Sequence, residues 1–88
     1  MPYIKNDDKL ALSKITDALA EVPPRTPGEL NYLITTVCLQ YMKNNAVGYQ
    51  RVNDVMGALE GAKMEFYRRF AAPYEDKKIF ENGDVYSL

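Results

Sequence analysis

The sequence predicts a mostly α fold: a small three-helix domain over residues 1–88, built on an antiparallel helical hairpin, with a short C-terminal helical turn and extended termini. Three observations carry this. Residues 49–72, YQRVNDVMGALEGAKMEFYRRFAA, keep unbroken helical periodicity. At about 100° per residue, Val52, Val55, Met56, Leu59, Ala62, Phe66 and Phe70 share one side, the i, i+3, i+4, i+7 pattern of a stripe expected to form the core. The second observation is Thr26-Pro27-Gly28-Glu29, a helix start on three counts. Thr26 can cap, proline suits the first helical position, and Glu29 stands where a capping box needs it. The third is punctuation: Pro23-Pro24 ends one helix, and Asn44-Asn45 with Gly48 closes a short connection between two others. A connection that short makes the flanking helices antiparallel neighbours.

Taken in order, Tyr3 and Ile4 favour extended geometry. Asn6 or Asp7 is expected to cap a first helix whose early acidic residues suit the positive end of the helix dipole. Leu12, Ile15, Ala18, Leu19 and Val22 give that helix an apolar face. The helix opened by Thr26 carries Leu30, Leu33, Ile34, Val37, Cys38, Tyr41 and Met42 on its buried side. After the long third helix, Pro73 disfavours helical geometry at Ala72, so a kink or break is expected there, followed by a short helical turn from Lys77 to Phe80. Asn82-Gly83 turns the chain. Asp84-Val85-Tyr86 is extended, and pairs with Tyr3 and Ile4 or lies across a neighbouring subunit.

Composition narrows the function. An 88-residue chain supports one modest core, so its stability is slim unless subunits associate. The formal net charge is −1 and no basic run occurs, which argues against holding duplex nucleic acid by phosphate neutralisation. No signal-peptide pattern and no window of eighteen apolar residues is present, so a cytoplasmic protein without membrane insertion is expected. With one cysteine and no histidine, the usual zinc sets, an intrachain disulfide and histidine-based triads are all excluded. No glycine-rich phosphate loop, motif-embedded nucleophile or paired-carboxylate site is evident. The expectation is therefore a protein without an active site of its own, with no catalytic residues, cofactor or metal.

Two features of the third helix call for an explanation. Gly57, Gly61 and Met64 lie roughly opposite the apolar stripe, and each glycine costs about 1 kcal/mol relative to alanine in a helix interior. Close approach by another backbone would account for them, and homo-oligomerisation through this face is favoured over an intramolecular crossing. The second feature is Glu65-Phe66-Tyr67-Arg68-Arg69-Phe70, followed by Tyr74. Aromatic faces stack on bases and arginine forks grip phosphate, so Arg68, Arg69, Tyr67 and Tyr74 are the candidate contacts for a nucleotide-like small molecule. The same residues also suit a helix C-terminus and a core. Lys63 and Asn53 stand behind them, in a polar band with Glu60. Lys63 either snorkels to water, pairs with Glu60 or joins a polar pocket. Asn31, Tyr32 and Thr35 form a polar margin on the preceding helix, and a pocket between the two helices would bring it to this band.

The words MPYI, TPGELNYLIT, GALEGAKMEFYRR, APYEDKK and NGDVY, in that order, resemble a family of small uncharacterised proteins of phages and bacteria. The resemblance covers nearly the whole chain. It implies a compact helical protein of a phage-infected or prophage-bearing host, and no catalytic residues come with it. By analogy of size, class and chemistry, the expected function is that of an anti-defence sponge, a homo-oligomer that sequesters a nucleotide-derived anion without turnover. The alternative is an interaction or inhibitor module that docks a host or phage partner through the acidic, tyrosine-rich segment from Tyr74 to Tyr86.

Overall fold

A computed structural model describes residues 2–44 and 48–87, and every regular element in them is helical. The order is α1 (Asn6–Ala11), α2 (Ser13–Glu21), α3 (Pro27–Lys43), α4 (Tyr49–Phe66), a π-helical turn (Tyr67–Ala71) and α5 (Ala72–Asn82). No strand forms among the described residues. The chain divides into two compact units, residues 3–56 and residues 57–88 together with 1–2.

In the first unit, α1 starts one residue earlier than the caps suggest. Lys5 occupies the N-cap with extended backbone and no side-chain cap, while Asn6 is already helical. Asp7 and Asp8 nevertheless stand in the first turn, where the dipole favours them. Leu12 interrupts the helix for one residue, and its carbonyl accepts from the amides of Ile15 and Thr16 at 3.0 and 3.1 Å to start α2. The helix ends at Val22, whose backbone has left the helical region (φ −126°, ψ 71°), as the following proline disfavours helical geometry there.

The cap of α3 forms as the sequence indicates, with one shift. Thr26 Oγ1 accepts from the Glu29 amide at 3.1 Å and Pro27 takes the first helical position. The Glu29 carboxylate reaches one residue further back than a capping box requires and accepts from the Arg25 amide at 3.1 Å. At the other end, the Asn44 side chain donates to the Gln40 carbonyl at 2.9 Å. Asn45, the other half of the expected turn pair, lies outside the described residues. Gly48 opens α4 by accepting from the Arg51 amide at 3.1 Å.

In the second unit, Pro73 does not break the chain. Ala71 and Ala72 are both right-handed helical, and α5 runs to Asn82 in place of the short turn expected from Lys77 to Phe80. The break is averted by a change of register: the Ala72 amide donates to the Tyr67 carbonyl five residues back. This π-turn takes up one extra residue just where proline would otherwise clash with the preceding turn. Gly83 then stops α5 at φ 88°, a conformation open to glycine, and its amide donates to the Ile79 carbonyl at 2.8 Å.

Within each unit taken by itself, the apolar stripes stay open among the described residues. No side chain is buried among the described residues. Leu59 is 39% exposed, Phe66 64% and Phe70 65%, and Leu30, Ile34 and Val37 on α3 are open as well. Cys38, expected inside, is half-buried. Periodicity marks an apolar side on each helix, but among the described residues that side is not buried within either unit.

Candidate functional site

The candidate ligand residues lie on the exit of α4 and the π-turn. Arg68 and Arg69 converge on one carboxylate. Arg68 Nη2 donates to Glu65 Oε1 at 2.6 Å and Arg69 Nε donates to the same oxygen at 3.2 Å, while Arg68 Nε reaches Glu65 Oε2 at 3.4 Å. Spacings of three and four residues put all three side chains on one flank of the helix. Glu65 is only 22% exposed, whereas the arginines are 64% and 58% exposed, so the guanidinium groups shield the acid.

Tyr67 turns to a different partner. Its hydroxyl donates to the Glu75 carboxylate, and that bond, reinforced by the negative charges of Glu75 and Asp76, pushes the phenol above its ordinary range. The π-turn makes this pairing possible. Eight residues along a regular α-helix turn through a net 80° or so, but one residue absorbed by the π-turn leaves an effective separation of seven, about 20° from alignment. Tyr74 stands with its ring 5.5 Å from Lys78 Nζ, a cation–π contact at the surface. Phe66 and Phe70 stack with ring centroids 4.9 Å apart and an interplanar angle of 26°.

The remaining candidates are placed less closely. Lys63 pairs with Glu60 at 3.7 Å, both side chains being well exposed, and a pair of that kind contributes at most about 1 kcal/mol. Asn53 is exposed on α4. On α3, Thr35 Oγ1 donates to Asn31 Oδ1 at 3.3 Å, so these two satisfy each other along their own helix. Tyr32 contributes to a shallow, largely apolar depression of ≈160 Å³ with Val22, Pro23, Pro24, Glu29 and Leu33. That depression sits where the diproline segment meets the start of α3. Of the glycine face, Gly57 is open, since a Cβ built there would meet nothing within 4 Å, and Met64 is exposed.

A second polar cluster went unnoticed in the sequence. Tyr41 on α3 donates its hydroxyl to Asp54 Oδ2 on α4 at 2.9 Å, and Gln50 Nε2 donates to Asp54 Oδ1 at 2.9 Å. Arg51 Nη1 donates to the Tyr41 hydroxyl at 3.2 Å and lies 3.4 Å from Asp54 Oδ2. The Gln50 and Tyr41 bonds, with Arg51 beside them, hold the Asp54 carboxyl below its ordinary value against the opposing effect of partial burial. This network ties the end of α3 to the first turns of α4. The available signal was the Gln50, Arg51, Asp54 spacing, which places two donors one turn from an acid.

Among the described residues, no group of three or more histidine, cysteine, aspartate or glutamate side chains stands together, and no helix is long and apolar enough to cross a membrane. Comparison with curated proteins and with solved structures returns no match. The model of one protein family matches residues 1–85, and the chain belongs to that family, described as a domain of unknown function (DUF6899).

Proposed function

We propose that the protein is a homo-oligomeric binding protein of a phage or prophage setting that sequesters a nucleotide-derived anionic small molecule in the host cytoplasm without turning it over. The observation that carries this reading is the convergence of Arg68 and Arg69 on Glu65. Two guanidinium groups that reach a single carboxylate oxygen have the span to grip one phosphate, and both side chains are more than half exposed. Tyr67 and Tyr74 flank them with exposed rings suited to stacking on a base. Lys63 and Asn53 are the further polar candidates, earlier on the same helix. An oligomer contact through Gly57, Gly61 and Met64 gains support from the open space around Gly57, where a Cβ would meet nothing within 4 Å among the described residues. Such an interface would exclude water and strengthen charge-assisted bonds to a ligand. No catalytic role is assigned to any residue.

The test is native mass spectrometry of the protein incubated with nucleotide extracts, followed by heat release and identification of what is retained. An intact nucleotide, lost in Arg68→Ala and Arg69→Ala proteins that still assemble, is the expected result. Chemically altered nucleotide in the released fraction would instead indicate turnover. A second reading has its own observation: Phe80, Val85 and Tyr86 are more than four-fifths exposed, as a segment that docks on a protein partner would be. Failure to retain any small molecule, together with a stoichiometric partner in a pull-down, would favour that reading.

A further inference from the structure

We infer that Glu65 is a tethered competitor for the anion position between Arg68 and Arg69, so that the pair takes a ligand with a terminal phosphate and rejects one whose phosphate is a diester. This rests on the reading of Arg68 and Arg69 as the anion-binding pair, and it names the ligand class and the residue that sets it.

The first argument is geometry. A carboxylate oxygen and a phosphate oxygen accept the same charge-assisted hydrogen bonds from a guanidinium fork. Glu65 Oε1 receives Arg68 Nη2 at 2.6 Å and Arg69 Nε at 3.2 Å, and Glu65 Oε2 lies 3.4 Å from Arg68 Nε. The acid therefore stands where an oxygen of a ligand phosphate would be held by both arginines. Spacings of three and four residues fix this contact locally, along the end of α4 and the π-turn. Glu60 and Glu75, earlier and later in the same stretch, engage Lys63 and Tyr67 instead. A ligand that uses both arginines in this geometry has to displace the Glu65 carboxylate.

The second argument is the exchange itself. Glu65 is tethered one turn away, so its return costs none of the translational and rotational freedom that a free ligand loses on binding. A phosphodiester carries a single negative charge, the same as the carboxylate it would replace. Exchange of like for like leaves the tethered acid ahead. A terminal phosphate carries about −1.5 to −2 at neutral pH, and its attraction to the two guanidinium groups grows in proportion. Its three free oxygens also serve both arginines at once. The anion that displaces Glu65 is thus a nucleoside monophosphate or polyphosphate, and a cyclic or linked diester is excluded.

Titration calorimetry of the full chain with AMP and with cyclic AMP tests this, because the two probes share base and sugar and differ in whether the phosphate is terminal or a diester. The wild-type protein should bind AMP about tenfold more tightly than cyclic AMP. Glu65→Gln keeps the side-chain shape but removes the competing charge, so it should bind cyclic AMP about fivefold more tightly than wild type does and narrow the difference between the probes. Asp17→Asn removes the same charge from an exposed position on α2 and serves as the reference. Its affinities should match those of wild type. Equal binding of the two probes by the wild-type protein overturns the inference without recourse to any variant. So does a Glu65→Gln protein, helical by circular dichroism, that gains nothing for cyclic AMP, or an Asp17→Asn protein that gains as much. In each of these cases the anion-binding reading stands, because nucleotide is still bound. If neither wild type nor Glu65→Gln binds either probe, the arginine pair is not a nucleotide site, and the inference falls with the reading it rests on.

Discussion

Asp54 is held by three neighbours drawn from two helices, and its titration reports whether they are in place. Its carboxyl is depressed first by the Gln50 bond, then by Tyr41 and Arg51. A depressed carboxylate contributes stability that is present above its unfolded value, about 3.9, and is lost as pH falls through its lower folded value. The thermal midpoint should therefore fall on acidification below about pH 4, and Asp54→Asn should remove part of that dependence while lowering the midpoint at neutral pH. An unchanged acid limb in the variant would mean that the network contributes nothing to stability. Thr26 makes a simpler case: Thr26→Ala should cost about 1 kcal/mol in denaturant unfolding and Thr26→Ser little, because only the capping oxygen is at stake. The two sites also differ in how far the sequence revealed them. Thr26, Pro27 and Glu29 are adjacent and their chemistry is local, so the cap was legible. Tyr41 was assigned to an apolar face by its spacing, and its hydroxyl partner lies thirteen residues away across a connection whose geometry no local rule supplies.

At the level of elements, the proline rule and the structure disagree, and the π-turn explains why. Proline removes one amide and crowds the preceding turn, which ordinarily ends a helix. Here the register slips by one residue between Tyr67 and Ala71, the helix continues to Asn82, and the slip itself brings Tyr67 onto the face of Glu75. Helix ends set by caps and by Gly83 could be read from residue type, whereas the register slip leaves no mark in hydrophobic spacing, because Phe70 already falls on the stripe at regular helical spacing. Pro73→Ala restores the missing amide and removes the reason for the slip. The variant should keep its helical content but separate Tyr67 from Glu75, so the Tyr67 phenol should fall back toward the ordinary value of about 10, as read by NMR titration of labelled tyrosine. A Tyr67 titration that stays high would show that the π-turn is held by something other than the proline. The raised phenol also fixes the sign of an alkaline effect: the neutral hydroxyl donates to Glu75, so its contribution persists below the ordinary tyrosine range and is lost as pH rises through the folded value.

For the molecule as a whole, the helical class, the end of α2, the limits of α3 and the start of α4 were legible because periodicity and caps are local properties, whereas the break at Leu12 and the end of α4 at Phe66 were not. What covers the apolar stripes was not, since a stripe records that a surface avoids water and carries no label for the chain that shields it. The candidate site divides in the same way: the arginines were visible as residue types, but their shared engagement of Glu65 required the helix. The tail offers a test at this scale that separates the two functional readings. Gly83 closes α5 before residue 84, and beyond it the Tyr86 amide donates to Asp84 Oδ1 at 2.9 Å in a local turn. Val85 and Tyr86 are 91% and 83% exposed. Deleting residues 84–88 should therefore leave the mass of the assembly unchanged and alter stability by no more than about 0.5 kcal/mol, the usual range for surface changes. If Arg68 and Arg69 carry the function, the shortened protein retains the same nucleotide as the full chain in native mass spectrometry. If the tail is the docking segment, the shortened protein folds equally well but no longer brings down its partner, because the exposed side chains at its tip are the ones a partner would bury.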